Sequence, residues 1–540
     1  MRRDPAPVAE IAVPMDGAAK LAKVRASGCA WPGLAGARPT EDRGTACFHF
    51  GRLDRPVGTN RRPLFGAAAA GLLGGLQPAS PARAASLVTL TAARRTLDVN
   101  GRAASVFGIT QADGTSGLFT KVGVPFQVML QNDAGVDTLI HWHGLTPPYQ
   151  QDGVPGISAP ALAPGGTAAY DFPLTFPGTF WMHSHQGLQE QSLMSAPLII
   201  QAADGTPDRQ EVVLLLHDFS FRSPEEIYDG LRKAAAPAGK GADDMAGMSM
   251  QAAPAPGANP SADAGPAAMA MDLNDVSYDA FLANDRTLDD LLVVRVEPRG
   301  RILLRIINAA ATSNFYVDLG RAEAMLTAVD GQPVQPVAGS VFPVAMAQRI
   351  DLELQLAADQ HVLPVFAVLE GGRTRTGIVL ATASGEVGRL SPLAEVATPA
   401  VNFDLEQRLC ALAPLASRPA DRVHQVDLTG TMAGYVWGLN GMAYGQAQPL
   451  RVTKGQRVEF VMTNKTPMSH PMHLHGHPFQ VVAVDGRRFP GAVRDTVLVP
   501  PMRSVTIAFD AGNPGRWAFH CHNLYHQAGG MMTVVAYDGF

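Results

Sequence analysis

Cysteine, charged residues and long apolar runs are all scarce in this chain of 540 residues. Four cysteines give little scope for disulfides, and two of them, Cys29 and Cys47, lie near the N-terminus. Charged residues make up 17% of the chain and the net charge is −5, which argues against a surface for nucleic acid. The apolar run Leu64–Leu76 is too short to cross a bilayer, so no membrane span is expected.

Hydrophobic residues are plentiful, at 46%, and are accompanied by 54 glycines and 42 prolines. This composition is typical of a folded globular protein that is long enough for two to four domains. Glycine and proline at this frequency, with few long charged runs, favour many short strands joined by turns.

Residues 1–84 differ from the rest of the chain. A twin arginine, Arg61 and Arg62, precedes the apolar run Leu64–Leu76 and a small-x-small motif at 82–84. This order predicts a twin-arginine secretory signal, and therefore export to the periplasm in the folded state. The alternative is a buried helix rich in alanine and leucine. Because the leader has more basic than acidic residues, the remainder is more acidic than the whole chain, and nucleic acid and anionic membranes are not expected as partners.

Histidine is concentrated in four H-x-H pairs. They are His141 and His143, His183 and His185, His473 and His475, and His520 and His522. Alternate side chains of an extended strand share a face, so each pair presents two imidazoles to one side. Eight such imidazoles would suit one polynuclear metal site. The histidines expected to be ordinary core or surface residues are His49, His217, His361, His424 and His477.

Cys521 stands between two of these histidines, and its side chain therefore faces the opposite side of the strand. One strand can thus serve two metal sites. The further donors nearby are His470, His526 and Met531. A thiolate with two imidazoles and a weak thioether is the donor set of a blue copper site. Zinc is the alternative metal, but a structural zinc site closes at four ligands, far fewer than this chain offers.

The HWHG, HSH, HPMHLHGH and HCHNLYHQAGGM runs together resemble the copper motifs of multicopper oxidases, in the family's order, and the likeness extends from about residue 86 to the C-terminus. It implies an all-β fold of three cupredoxin-type Greek-key β-sandwich domains, with four coppers per chain. The implied type 1 copper ligands are His470, Cys521, His526 and Met531. The implied type 2 ligands are His141 and His473. The implied type 3 ligands are His143, His183, His185, His475, His520 and His522.

The resemblance also implies a reaction in which a small reducing substrate gives up electrons singly and dioxygen is reduced to water. Electrons would pass through Cys521 to its neighbours His520 and His522. Cys410 and Cys521 remain after the leader. Because a disulfide between them would remove the thiolate, we expect no disulfide, although an oxidising compartment would permit one.

Protons for this reaction need a carboxylate near the trinuclear site. Asp152 matches the position of the acidic residue with this role in similar bacterial enzymes, and the alternative is an ordinary turn aspartate. Gln527 stands where several relatives have a glutamate, which makes a second carboxylate donor there doubtful. Asp495 could contact a ligand histidine or could be purely structural.

Three strand-like segments that end in asparagine, at Asn132, Asn308 and Asn464, indicate three related domains. Nine and eleven residues later, the outer copies carry histidine pairs, whereas the middle copy carries Val317 and Leu319. We therefore expect domains 1 and 3 to hold the metal cluster between them, with domain 2 as a spacer. The predicted domain limits are 86–203, 204–392 and 405–540.

Residues 234–271, inside the predicted second domain, break the strand pattern and are rich in alanine, proline and glycine. Thioethers favour Cu(I), and this insertion contains Met245, Met248, Met250, Met269 and Met271. Copper-resistance members of the family carry a Met-rich insertion in a similar place. An ordinary low-complexity loop is the alternative.

Three functions are compatible with these motifs. The resemblance favours an oxidase for Cu(I), or for phenolic donors, and we expect it to be a monomer active in copper tolerance. An axial methionine predicts a modest type 1 potential, which suits easily oxidised donors. A copper-sequestering or structural protein of the same fold should have lost ligands. A copper nitrite reductase needs fewer histidines and two domains per chain.

Overall fold

The computed structural model describes residues 87–205, 208–234 and 273–540. Regular structure in these residues is almost entirely β-strand, arranged as three pairs of sheets, so the predicted all-β class is confirmed. The twin-arginine signal and the five methionines of the insertion lie outside the described residues. No helix in the described ranges has the length and apolar character needed to cross a membrane.

The first pair of sheets contains β1 (Val88–Val99), β2 (Arg102–Thr110), β3 (Leu118–Lys121), β4 (Phe126–Asp133), β5 (Ile140–His143), β6 (Thr167–Phe172), β7 (Gly178–Ser184) and β8 (Ser195–Gln201). One sheet has the order β2-β1-β4-β6 and the other β3-β8-β7-β5. Alternate residues of β4, namely Phe126, Val128 and Leu130, are buried in the core between the sheets. A 3₁₀ turn, Tyr149–Gln151, follows β5.

The second pair contains β9 (Gln210–Phe219), β10 (Ala280–Ala283), β11 (Leu292–Arg295), β12 (Arg301–Asn308), β13 (Phe315–Asp318), β14 (Ala324–Val329), β15 (Gln332–Gly339), β16 (Val341–Val344), β17 (Arg349–Gln355), β18 (Val362–Leu369) and β19 (Arg375–Ala381). Its sheets have the orders β10-β9-β12-β17-β14-β15 and β11-β19-β18-β13-β16. Helix α1 (Pro224–Ala234) follows β9. Ser223 and Glu226 form a capping box at its start, each side chain accepting from the other's backbone N–H.

The third pair contains β20 (Arg422–Thr431), β21 (Val436–Leu439), β22 (Leu450–Val452), β23 (Arg457–Asn464), β24 (His470–Leu474), β25 (Phe479–Val484), β26 (Arg487–Arg488), β27 (Val493–Arg494), β28 (Thr496–Val499), β29 (Ser504–Asp510), β30 (Arg516–Cys521) and β31 (Met532–Tyr537). Its sheets have the orders β21-β20-β23-β29-β25-β26, with β27 beside β25, and β22-β31-β30-β24-β28. A 3₁₀ turn, Glu406–Arg408, precedes β20, and helix α2 (Leu524–Ala528) follows β30.

The three repeat segments are equivalent strands. Each of β4, β12 and β23 pairs in parallel with the first long strand of its own sheet and antiparallel with a later one. The terminal asparagines Asn132, Asn308 and Asn464 have matching roles. Each amide donates to one backbone carbonyl in the following loop and to another in a segment 30 or more residues away, and each Oδ1 accepts from the N–H two residues on. The repeated asparagine therefore closes the same loop in each domain.

Replacing Asn308 by alanine should lower the thermal stability of the protein. Its amide donates to the carbonyls of Ser313 and Val344 inside the second domain, and it is fully buried. Each carbonyl left without a partner costs about 1–3 kcal/mol. Thermal unfolding of Asn308→Ala should show an earlier transition, whereas exposed Asn402→Ala should unfold at a temperature close to wild type; equal melting temperatures would contradict this role.

Residues at the same distance after the three asparagines do not lie on the same face of their strands. Val317 and Leu319 belong to the core of the second domain. In the outer domains the core positions are filled by Trp142 and Met472, so the neighbouring histidines face away from the core. The middle domain thus lacks the ligands and also turns the corresponding residues inward.

Candidate metal centres

The four H-x-H pairs lie on two pairs of adjacent strands. In the first domain β5 is antiparallel to β7, with His141 opposite His183. In the third domain β24 is antiparallel to β30, with His473 opposite His520. The second histidine of three pairs lies just beyond the end of its strand. Each outer domain therefore presents four imidazoles from one edge of a sheet.

These two edges face each other. The rings of His141 and His475 stack with centroids 3.8 Å apart, and those of His143 and His473 with centroids 3.7 Å apart. All eight imidazoles are buried except that of His185, which is partly buried. Burial lowers the pKa of seven of the eight, and neighbouring imidazoles add to the effect. Neutral imidazole is the form that binds a metal.

His141 and His473 occupy equivalent positions with equivalent partners. Nδ1 of His141 donates to the backbone oxygen of Asp152 at 2.8 Å, and Nδ1 of His473 donates to that of Asp495 at 2.8 Å. These bonds leave both Nε2 atoms unprotonated, and neither Nε2 has a hydrogen-bond partner.

The other six imidazoles form two triads. The first, which we call the His143 triad, comprises His143, His183 and His522. His143 Nδ1 lies 3.4 Å from His183 Nε2, and the ring of His522 is 5.0 and 5.1 Å from those of His183 and His143. The outward nitrogen of each ring faces a carboxylate: Asp495 for His143, and Glu190 for the other two.

The second triad, called the His475 triad, comprises His185, His475 and His520. The three offer ligand atoms within 4.8 Å of one another. His475 Nδ1 lies 2.9 Å from Asp152 Oδ2, and His520 Nδ1 donates to the carbonyl of Cys521 at 2.9 Å. Nδ1 of His185 faces the amide of Gln527 at 3.4 Å.

In each imidazole, the ring nitrogen that points towards the other histidines is called the inward nitrogen. The chemistry of the inward nitrogens fits a metal cluster. His475 Nε2 and His520 Nε2 are 3.0 Å apart, although the partners of both Nδ1 atoms leave a lone pair on each Nε2. Two facing lone pairs repel unless a cation lies between them. Nε2 of His185 and Nε2 of His522 are likewise buried without a hydrogen-bond partner. Buried polar atoms are rarely left in this state, so their chemistry indicates ligation of cations.

A second group lies on the other face of β30. Cys521 Sγ is 3.6 Å from His470 Nδ1 and 3.7 Å from His526 Nδ1, and these two nitrogens are 3.1 Å apart. Burial raises the pKa of the Cys521 thiol, so a cation is needed to hold it as thiolate. The backbone carbonyl of Met531 accepts from Cys521 N–H, and Met531 is fully buried beside it. Cys521 is not in a disulfide. Cys410 is disulfide-bonded, however, which corrects the expectation of no disulfide.

Local contacts aim both imidazoles of this group at the sulfur. Thr466 Oγ1 lies 2.7 Å from His470 Nε2, and Asp275 Oδ2 lies 3.2 Å from His526 Nε2. Both Nδ1 atoms are therefore free to act as ligands. Asn523 caps helix α2 by accepting from the N–H groups of Tyr525 and His526. This cap holds His526 in the first turn of the helix that follows Cys521.

Asp152 lies at the edge of the cluster, directly after the 3₁₀ turn. It is fully buried, with Oδ1 3.3 Å from His141 Nδ1 and Oδ2 2.9 Å from His475 Nδ1. Gly153 makes this approach possible: its φ is +84°, and a Cβ there would lie 1.8 Å from the carbonyl of Ile140. The carboxylate can therefore exchange a proton with the His475 triad.

Asp495 has a matching place in the third domain but a different partner. Its Oδ1 lies 3.0 Å from His143 Nε2, and Arg349 of the second domain binds both of its oxygens, at 2.8 and 2.5 Å. The guanidinium outweighs burial and holds the pKa of Asp495 well below its usual range. A Cβ on Gly144 would lie 2.5 Å from Arg349, so only glycine leaves room for this pair. Asp495 thus contacts a cluster histidine and also joins the three domains.

Two carboxylates near the metal groups were not predicted as site residues. Glu190, between β7 and β8, contacts His183, and Asp275, before β10, contacts His526. Burial, together with the charge of Asp218, raises the pKa of Glu190. Strand periodicity indicated neither residue: Glu190 lies in the loop that follows β7, and Asp275 is 251 residues from His526. Of the histidines set aside, His217 and His477 are buried and hydrogen-bonded to hydroxyl groups.

Comparison with known proteins agrees with this arrangement. Three family models described as Multicopper oxidase match residues 100–205, 251–381 and 417–539. The chain is 31% identical over 493 residues to the multicopper oxidase MmcO of Mycobacterium tuberculosis, covering 87% of this chain and 91% of that protein. It is 25% identical over 620 residues to copper resistance protein A of Pseudomonas syringae pv. tomato, covering 88% and 99%.

Solved structures show the same fold. The multicopper oxidase Fet3p superposes with a TM-score of 0.67 at 20% identity, over 83% of this chain and 90% of that one. The laccase from Botrytis aclada gives a TM-score of 0.66 at 20% identity, over 83% and 87%. The predicted cupredoxin-type fold is therefore confirmed. This chain belongs to the multicopper oxidase family and is a copper-dependent oxidoreductase that uses dioxygen.

Proposed function

We propose that this enzyme holds four coppers in the two groups of side chains described above. His470, Cys521, His526 and Met531 would hold the type 1 copper. The type 2 copper is held by His141 and His473, and the type 3 coppers by the His143 and His475 triads. The observation that carries this proposal is the convergence of eight imidazoles whose inward nitrogens either have no hydrogen-bond partner or face one another.

The chain itself connects the two groups. Cys521 is covalently flanked by His520, of the His475 triad, and His522, of the His143 triad, so a short path of bonds runs from the thiolate to both. Bound copper supplies one-electron transfer at the type 1 group and four-electron reduction of dioxygen at the other. Asp152 accepts at Oδ2 from His475 Nδ1, and this carboxylate is within reach to relay protons to that chemistry. Burial of the imidazoles excludes bulk water from both groups.

Cu(I) is the proposed electron donor, in preference to phenols. Both described flanks of the Met-rich insertion lie close to the type 1 group: Tyr228 of α1 stacks on Tyr525, with ring centroids 6.0 Å apart, and Asp275 contacts His526. The insertion therefore begins and ends beside this group, and the thioethers in its sequence would suit Cu(I). The likeness to copper resistance protein A supports a role in copper tolerance.

We further propose export to the periplasm by the twin-arginine signal, action as a monomer, and domains at 86–203, 204–392 and 405–540. The three matched family models fall at 100–205, 251–381 and 417–539, which is compatible with these limits. A copper-sequestering role would require copper binding without oxygen consumption. The test is steady-state oxidation of Cu(I) and of a bulky phenol by the copper-loaded protein, with oxygen uptake recorded. Absence of uptake with both donors would contradict the proposal.

Deleting residues 240–270 should lower the rate of Cu(I) oxidation and leave oxidation of a bulky phenol unchanged or faster. The reason is that the thioethers of Met245, Met248, Met250 and Met269 are lost, while the type 1 ligands remain. A variant with all five insertion methionines changed to leucine keeps the length and separates thioether chemistry from steric effects. Equal Cu(I) kinetics in wild type and both variants would make these methionines incidental and favour a general laccase-like oxidase.

A further inference from the structure

Glu190 is a buried carboxylate that spans two domains. Its Oε2 is 2.7 Å from Nδ1 of His183, which belongs to the first domain. Its Oε1 is 3.7 Å from Nδ1 of His522, which belongs to the third. Glu190 is 3% exposed, and Oε1 has no hydrogen-bond partner. Each oxygen of the Glu190 carboxylate therefore faces one of the two histidines.

The groups that contact the outward ring nitrogens differ in charge between the two triads. Behind the His475 triad lie one carboxylate, Asp152, the neutral amide of Gln527 and a backbone carbonyl. Behind the His143 triad lie Asp495 and Glu190, and the charge of Asp495 is already balanced by Arg349. Among the described residues, Glu190 forms no ion pair with arginine or lysine. When Glu190 is ionised, its charge therefore acts on this triad without an arginine or lysine to balance it.

An anion behind a ligand imidazole has two effects. It accepts from the outward N–H, which fixes the tautomer and the ring orientation, and it makes the inward nitrogen a stronger donor. For His183 the same Nδ1–H is also 3.2 Å from the carbonyl of Ser184, so the inward nitrogen is Nε2. His522 Nε2 is the corresponding inward atom, and it has no hydrogen-bond partner. One carboxylate thus orients ligands from two domains at once.

We propose that Glu190 is a positioning residue that orients His183 and His522 and thereby sets the copper affinity of the type 3 position held by the His143 triad. This inference rests on the proposed copper assignment. Asp152 and Gln527 cannot substitute for Glu190, because their cross-domain contacts are to the His475 triad.

The test compares wild type, Glu190→Gln and Glu190→Ala as full-length copper-depleted proteins titrated with copper against a chelator. Glu190→Gln is nearly isosteric and removes only the charge. We expect one of the four coppers to bind about 10–100-fold more weakly, with the larger loss in Glu190→Ala. Two coupled Cu(II) ions give no EPR signal, so the unpartnered type 3 copper should add a new one. Glu370→Gln is the matched control, since Glu370 is equally buried but contacts Val401 and Asn314 in place of histidine.

Four coppers bound with wild-type affinity and no added EPR signal in Glu190→Gln would overturn the inference and leave the proposed function intact. An equal loss of affinity in Glu370→Gln would overturn it as well, because general destabilisation would then explain the effect. Fewer than four coppers in the wild type would instead contradict the proposed function on which the inference rests. Loss of one copper in the Glu190 variants, with four retained in wild type and Glu370→Gln, supports it.

Discussion

Cys521→Ser is expected to abolish the blue absorption and oxidase turnover while leaving about three of the four coppers bound. The blue band arises from charge transfer between the thiolate and type 1 copper, and serine cannot supply it. Cys521 Sγ faces His470 and His526, whereas the H-x-H imidazoles lie on the opposite face of β30. Loss of the sulfur should therefore leave the trinuclear group intact. Copper analysis, visible absorption and oxygen uptake check the three parts of this expectation.

Ser184→Ala is the matched control for this experiment. Ser184 stands between His183 and His185 as Cys521 stands between His520 and His522. Its hydroxyl bonds to Gln189 and faces no metal group, so the variant should keep the blue band. If loaded wild type contains about one copper per chain, or if Cys521→Ser retains the blue band, the assignment of the metal groups is wrong.

Asp152→Asn is expected to slow turnover by about 10²–10⁴-fold with little loss of copper, the usual contribution of a general acid. The carboxylate lies 2.9 Å from His475 and is the sole acid in contact with that triad among the described residues. Asparagine keeps the shape and the backbone carbonyl that orients His141, but it cannot release a proton. Oxygen uptake across the pH range, with copper content measured in parallel, checks this.

Asp171→Asn, an exposed aspartate hydrogen-bonded to the same 3₁₀ turn through Gln151, should behave as wild type. Unchanged turnover of Asp152→Asn at every pH would reduce Asp152 to a residue of that turn. A parallel loss of copper would show instead that it holds His475 in place.

Much of the site was predictable because strand geometry is local. Alternation along β30 alone separates Cys521 from His520 and His522, and the three asparagine-terminated strands indicate three related domains. Alternation does not say which face of β13 points inward, and the structure places Val317 and Leu319 in the core of the second domain. Spacing along the chain counts residues, but it does not fix the path of a loop.

The sequence by itself determined the all-β class, the candidate ligand residues and the absence of such ligands in the second domain, because each depends on residue identity and short-range periodicity. Tertiary structure decided which imidazoles share a triad, and which carboxylates contact their outward nitrogens. Glu190 meets His522, and Asp152 meets His475, only because the first and third domains face each other. Arg349 of the second domain then neutralises Asp495 alone. Such contacts join residues more than a hundred positions apart, and no local pattern in the chain encodes them.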